Sequence, residues 1–161
     1  MSASRTPLAI TPISDSTVID LGARALTLVP WETAHSESDL TVFDTATATL
    51  FVGDLLFDEH SPALDGSLLG WLRVLDEMGT PPPARVVPGH GGPVLDWPKG
   101  GEALTRYLET LRDETRIAVA EGLRLSEAVA TVGKDKADNW HLFELFHRRN
   151  VTAAFTELEW E

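Results

Sequence analysis

The sequence predicts an α+β fold, strand-rich in front and helical behind. Two observations carry this reading. Residues 1–97 hold short apolar runs cut by Gly, Pro and Asp, whereas residues 98–161 hold apolar residues at helical spacing. The charge divides at the same place, with 4 basic and 13 acidic residues in front and 9 basic and 12 acidic behind. The chain reads as a single domain over 1–161, because 161 residues suit one domain and are few for two.

Each element follows in order. Ser16–Leu21 and Arg24–Trp31 read as strands separated by Gly22. Leu40–Phe43 and Thr49–Val52 read as a hairpin across the turn Asp44-Thr45-Ala46-Thr47. Gly53-Asp54 closes the second run. A glycine there lets the backbone turn and sets the next side chain at the sheet's rim. Asp65 or Ser67 can cap a helix whose apolar stripe is Leu68, Trp71, Leu72, Leu75 and Met78. Asp65 is read as a cap rather than a ligand. Gly79 is a natural stop, and Pro81-Pro82-Pro83 forbids further helix.

Arg85–Val87 is a short buried strand leading into Pro88-Gly89-His90-Gly91-Gly92-Pro93, a loop able to hold a side chain in unusual backbone geometry. A long amphipathic helix is expected over Pro98–Glu121. Leu104, Tyr107, Leu108, Leu111 and Ala118 share its apolar face, and Gly122 stops it. Shorter helices are expected at Ser126–Val132, Asp138–Phe146 and Asn150–Leu158.

Composition bounds the function. Hydrophobic residues at 43% and charged residues at 24% read as soluble and globular. The net charge of −12 argues against nucleic acid or an anionic membrane as partner and favours cations, metals included. Without cysteine there is no disulfide, thiol nucleophile or Cys-ligated metal. No apolar run approaches the ~18 residues of a membrane span. Met1–Thr11 has one Arg and no apolar core, so it is not expected to be a signal peptide, and the compartment stays open.

Five histidines are present: His35, His60, His90, His141 and His147. None forms an H-x-H or H-E-x-x-H pair. His35 heads a loop after the strand ending at Trp31, Asp54 ends the next hairpin, and His90 follows a third strand. Three possible ligands at three strand ends are a usual imidazole–carboxylate mix for zinc. Taken singly, a turn histidine is usually solvated and an Asp after Gly is usually turn chemistry. The weight lies in the conjunction of Phe51-Val52-Gly53-Asp54-Leu55-Leu56-Phe57 with Val86-Val87-Pro88-Gly89-His90-Gly91, separated by one helix. His60 and Asp58 lie in the loop just after Asp54. His141 and His147 sit among Trp140, Phe143 and Phe146 and read as packing or surface residues.

That conjunction resembles the second half of the metallo-β-lactamase superfamily. The closer resemblance is to the quinoprotein relay system zinc metallohydrolases, through Thr33-Ala34-His35-Ser36-Glu37-Ser38-Asp39-Leu40-Thr41-Val42, Leu64-Asp65-Gly66-Ser67-Leu68-Leu69-Gly70-Trp71-Leu72 and the stretch from Arg149 to Trp160. It covers about residues 10 to 161. The resemblance implies one half of an αββα sandwich: a sheet with helices on one side and a C-terminal helical segment. It also implies two zinc ions. Asp54 would bridge them as the catalytic carboxylate, and His35 and His90 would each hold one. His60 and Asp58 would border the substrate pocket. The implied reaction is attack of metal-activated hydroxide on an ester, thioester, lactone or lactam carbonyl.

The superfamily's H-x-H-x-D-H motif, which supplies two ligands to each metal, is absent from these residues. The expectation is therefore a C-terminal half, from a truncated product or a split enzyme, that binds zinc weakly and is inactive alone. Half of a two-sheet sandwich should also expose an apolar sheet face, which implies self-association or a missing N-terminal half as partner. The alternative is a non-catalytic half-domain that associates with itself or a partner chain. A third reading is an acidic α/β binding domain in which His35, Asp54 and His90 are incidental. Members of the resembled family are typically periplasmic.

Overall fold

The computed structural model describes residues 11–161, apart from the side chains of residues 138 and 139. The reading made of Met1–Thr11 lies, but for Thr11, outside them. The chain builds one five-stranded sheet in sequence order, from β1 (Thr17–Asp20), β2 (Ala25–Pro30), β3 (Leu40–Asp44), β4 (Thr49–Phe57) and β5 (Arg85–His90). The first four strands form an antiparallel meander, and β5 adds to β4 in parallel. A parallel neighbour needs a crossover, which α1 (Leu68–Glu77) supplies. Behind β5 come α2 (Glu102–Ala120), α3 (Leu125–Thr131) and α4 (Phe143–Leu158).

The register separates two faces. Val18, Thr27, Phe43, Leu50 and Val86 stand opposite one another along one row, and Thr17, Leu28, Val42, Phe51 and Val87 along the next. The first face packs under the helices. Leu50 and Val86 join Trp71, Val74, Leu75, Leu104, Leu108 and Val151 in one continuous core. On the second face Ile19, Leu40 and Phe51 remain 41%, 38% and 42% exposed. Helices thus lie on one side of the sheet, as the resemblance implies.

The Thr45–Ala48 turn of the hairpin is held by Asp44. Its carboxylate pairs with Arg24 and accepts from Thr47 Oγ1 (2.5 Å) and the Ala46 N–H (3.1 Å). Those contacts, Arg24 first, hold the Asp44 carboxyl well below the usual carboxylate range.

Two expectations need correction in the back part. The long helix starts at Glu102, because Pro98 is followed by a 3-10 turn, Lys99–Gly101. The separate helices expected at Asp138–Phe146 and Asn150–Leu158 are instead a 3-10 turn, Lys134–Asn139, and one 16-residue helix, Phe143–Leu158. Leu142, in the left-handed conformation at φ 60°, divides them. Arg148-Arg149-Asn150 carries no breaker, so the helix runs through it. Asn150 faces inward and is spent on neighbours: Oδ1 accepts from the Leu64 N–H (2.9 Å), and Nδ2 donates to Pro62 O (2.8 Å) and Tyr107 Oη (2.9 Å). Among the described residues no helix is long and apolar enough to cross a membrane.

Candidate metal centre

Asp54 and His90 come together because β4 and β5 run side by side in the same direction. The pairing slips between Phe51 and Gly53 and again between Gly53 and Phe57. Gly53 sits at φ +53°, a region most side chains avoid, so the strand is re-aimed just before Asp54. Across the gap, a Cβ on Gly89 would lie 2.0 Å from Asp54 Oδ1. Only glycine lets the carboxylate approach β5 so closely. The result is Asp54 Oδ1 at 3.4 Å from His90 Nε2, with both side chains nearly half exposed. The His90 ring stacks on Phe57 at 4.6 Å and 11°.

The loop beyond β4 is tied to the same strand end. The Asp58 N–H donates to His90 O (2.9 Å), and Asp58 Oδ2 accepts from the Gly92 N–H (3.2 Å). The Asp58 carboxylate thus braces the His90 loop. His60 follows, its ring 6.5 Å from that of His90 and 5.7 Å from that of His141. Its Nδ1 is buried and has no hydrogen-bond partner among the described residues.

His35 also packs near Phe57, 5.7 Å from its ring, with its own ring edge-on to Trp71 at 5.2 Å. Its Nδ1 stands 3.6 Å from Asp39 Oδ1. Asp39 also accepts from the Ser36 N–H and Ser36 Oγ, both at 2.9 Å. Burial works to raise the Asp39 pKa, but His35 and then Ser36 outweigh it and hold it below its ordinary value. The loop is fixed to the start of α1 by the Asp65 N–H to His35 O (3.1 Å) and the Ser67 N–H to Ala34 O (2.9 Å). Ser67, not Asp65, caps the helix by accepting from the Gly70 N–H, and Asp65 pairs instead with Arg149.

The structure therefore brings Asp54 and His90 into one pair, with His60 beside it, and sets His35 as well as His90 against Phe57. Among the described residues, no group of three or more His, Cys, Asp or Glu side chains is arranged to hold a metal ion. The Asp54–His90 pair nonetheless has the spacing of one coordination edge. Two ligand atoms ~2.0–2.2 Å from a tetrahedral zinc stand roughly 3.4 Å apart. His147 is wholly structural. Its Nε2–H donates to Val132 O (2.8 Å), and Nδ1 accepts from the Tyr107 hydroxyl (3.0 Å). His141, which the sequence groups with packing and surface residues, is exposed and lies beside His60. No local signal marks that neighbourhood, since 81 residues separate the two in the chain.

The family profile described as the metallo-beta-lactamase superfamily matches residues 6–90. Curated protein sequences yield no match. Among solved structures, a metallo-beta-lactamase family protein from Thermus thermophilus is similar at TM-score 0.66 and 20% identity, over 97% of this chain and 49% of that one. A beta-lactamase domain protein from Burkholderia ambifaria is similar at TM-score 0.65 and 18% identity, over 97% and 47%. A metallo-beta-lactamase from Pontibacter korlensis is similar at TM-score 0.53 and 22% identity, over 60% and 47%. The chain spans about half the length of these structures. The profile match covers more than half of the chain, and the sheet agrees with it: the chain belongs to the metallo-β-lactamase superfamily.

Proposed function

We propose that this chain carries part of the active site of a zinc-dependent hydrolase acting on an ester, thioester, lactone or lactam carbonyl. Within the superfamily, we read it as akin to the quinoprotein relay system zinc metallohydrolases, which its sequence resembles. The single observation that carries the reading is the Asp54–His90 pair, 3.4 Å apart across the adjacent parallel strands β4 and β5. Asp54 and His90 would share one zinc, and His35, braced by Asp39, would serve a second. Zinc supplies acidification of water towards pKa ~7 and polarisation of the substrate carbonyl. The chain's own residues do the rest. Phe57 keeps the His90 ring in plane by stacking. Asp58 holds the His90 loop. His60 borders the substrate.

Three ligands divided over two ions fall short of the three or four that a tight zinc site uses. The proposal is therefore that further ligands come from outside the described residues, and that the chain alone holds zinc weakly and hydrolyses little. Elemental analysis after zinc loading and dialysis tests it. The expected result is weak retention that Asp54→Ala and His90→Ala abolish. Retention unaffected by either substitution would overturn the assignment. Robust hydrolysis by the isolated 161-residue chain would overturn the claim of incompleteness.

A second reading, a non-catalytic half-domain, is favoured by the open sheet face at Ile19, Leu40 and Phe51. It predicts self-association or partner binding in which zinc has no part.

A further inference from the structure

The loop from Asp58 to Ser67 ties the two ligand loops together. At its front the Asp58 N–H donates to His90 O (2.9 Å). At its back the Asp65 N–H donates to His35 O (3.1 Å) and the Ser67 N–H to Ala34 O (2.9 Å). The course of residues 59–64 between these ties bears on where His35 stands relative to the Asp54–His90 pair.

The C-terminal segment holds those residues by two rungs. The first is main chain. The His141 N–H donates to Glu59 O (2.7 Å), and His141 O accepts from the Ser61 N–H (2.8 Å), which is the pattern of a parallel pair centred on His60. The second is a side chain. Asn150 Nδ2 donates to Pro62 O (2.8 Å), and Oδ1 accepts from the Leu64 N–H (2.9 Å). A carboxamide carries the donor and the acceptor of a peptide group. Asn150 therefore repeats on Ala63 the pattern that the His141 backbone makes on His60. Asn150 is fully buried, and its other N–H goes to Tyr107 Oη (2.9 Å). Pro62 and Leu64 are buried too, so without Asn150 two buried backbone groups lose their partner, a cost that favours a shift of the loop.

We propose that Asn150 is a positioning residue of the candidate metal centre: its carboxamide fixes the loop that carries His35, and so sets the place of His35 relative to the Asp54–His90 pair. The pair itself stands on the β4–β5 ladder, apart from this rung. The role rests on the hydrolase reading for its functional meaning. It gives α4, which lies beyond the profile match over 6–90, a part in the metal site.

Ring-proton ¹H–¹³C correlation on the histidine-labelled 161-residue chain, with and without zinc, reads the positions. Without zinc, ring currents mark both imidazoles, since His35 lies edge-on to Trp71 and His90 stacks on Phe57. Asn150→Ala should displace the His35 signals and leave those of His90 in place. In a zinc titration the His90 response should stay within about twofold of wild type, while the zinc concentration that moves His35 should rise about tenfold. Asn150→Leu, which fills the same space without either hydrogen bond, gives the same reading where Asn150→Ala does not fold. Tyr107→Phe is the control. It removes the third hydrogen bond of Asn150 and leaves the groups of both rungs, so His35 should respond as in wild type. His35 signals unmoved in the Asn150 variants, or displaced equally by Tyr107→Phe, would overturn the role. The two proposals fail separately. Zinc that moves His90, with His35 untouched by Asn150→Ala, sinks the positioning role alone. Zinc that moves neither ring in wild type, with His35 displaced by Asn150→Ala, sinks the hydrolase reading and leaves the hold of Asn150 on the His35 loop standing.

Discussion

Glu157, near the end of α4, closes the N-terminus of α1 at Leu68. Its carboxylate accepts from the Leu68 N–H (2.7 Å), the Leu69 N–H (3.3 Å) and Ser67 Oγ (2.7 Å). A negative charge there meets the unpaired N–H groups and the positive end of the helix dipole. The same helix start holds the His35 loop through the Ser67 N–H. Glu157→Ala should therefore lower stability by about 1–2 kcal/mol in urea unfolding. Glu157→Gln, which keeps the shape and one acceptor oxygen but no charge, should lose less.

Gly89→Ala should break the Asp54–His90 pair without unfolding the chain. The added Cβ would meet Asp54 Oδ1 at 2.0 Å and the Gly53 carbonyl carbon at 2.6 Å, so the carboxylate must leave its place beside His90. Zinc affinity should fall about tenfold or more while the far-ultraviolet circular dichroism spectrum is kept. Unchanged affinity would show that the Asp54–His90 spacing does not matter to binding.

Acid should weaken the fold through His147. Burial pushes its pKa below the ordinary value of about 6.5, so between the two values the unfolded chain binds more protons than the folded one. The stabilising contribution of neutral His147 is complete above about pH 6.5 and is lost as pH falls through the lower, folded value. Urea midpoints measured from pH 8 to 5 should fall across that window. His147→Gln should flatten that part of the profile.

Tyr107→Phe tests the partner of that imidazole. Burial raises the Tyr107 pKa to about 12, so its hydroxyl keeps its proton and donates to His147 Nδ1 while accepting from Asn150 Nδ2. Removing it leaves two buried groups short of a partner, at about 1–3 kcal/mol. Calorimetry should show the loss, and Tyr107→Phe combined with His147→Leu should lose less than the sum of the two.

Phe51→Ser should be nearly neutral for stability of the monomer, because the ring is 42% exposed on the open sheet face. If that face is what associates, sedimentation velocity should show a smaller self-associated fraction than wild type. An unchanged distribution would remove Phe51 from any interface.

Much of this was legible in one dimension. Alternating strands, the Leu68–Met78 stripe and the face from Leu104 to Ala118 are local patterns, and local patterns survive folding. The places of His35 after β2 and of His90 at the end of β5 could be read for the same reason, whereas Asp54 falls inside β4. What escaped depended on partners far along the chain. Strand β4 extends to Phe57 because β5 lies beside it. Helix α4 is continuous because Asn150, which favours turns when isolated, is satisfied by Leu64, Pro62 and Tyr107. Glu157 at Leu68 and His141 at His60 carry no neighbouring sequence mark at all.

The order in which β4 and β5 meet has a kinetic side. The β1–β4 meander joins strands through short turns, which close quickly. The β4–β5 ladder is parallel and must wait for the whole α1 crossover to fold back. Asp54 and His90 sit on opposite sides of that last seam. Their meeting is therefore a late event on the folding path, and a zinc-sensitive probe of the pair would time the completion of the sheet rather than its start.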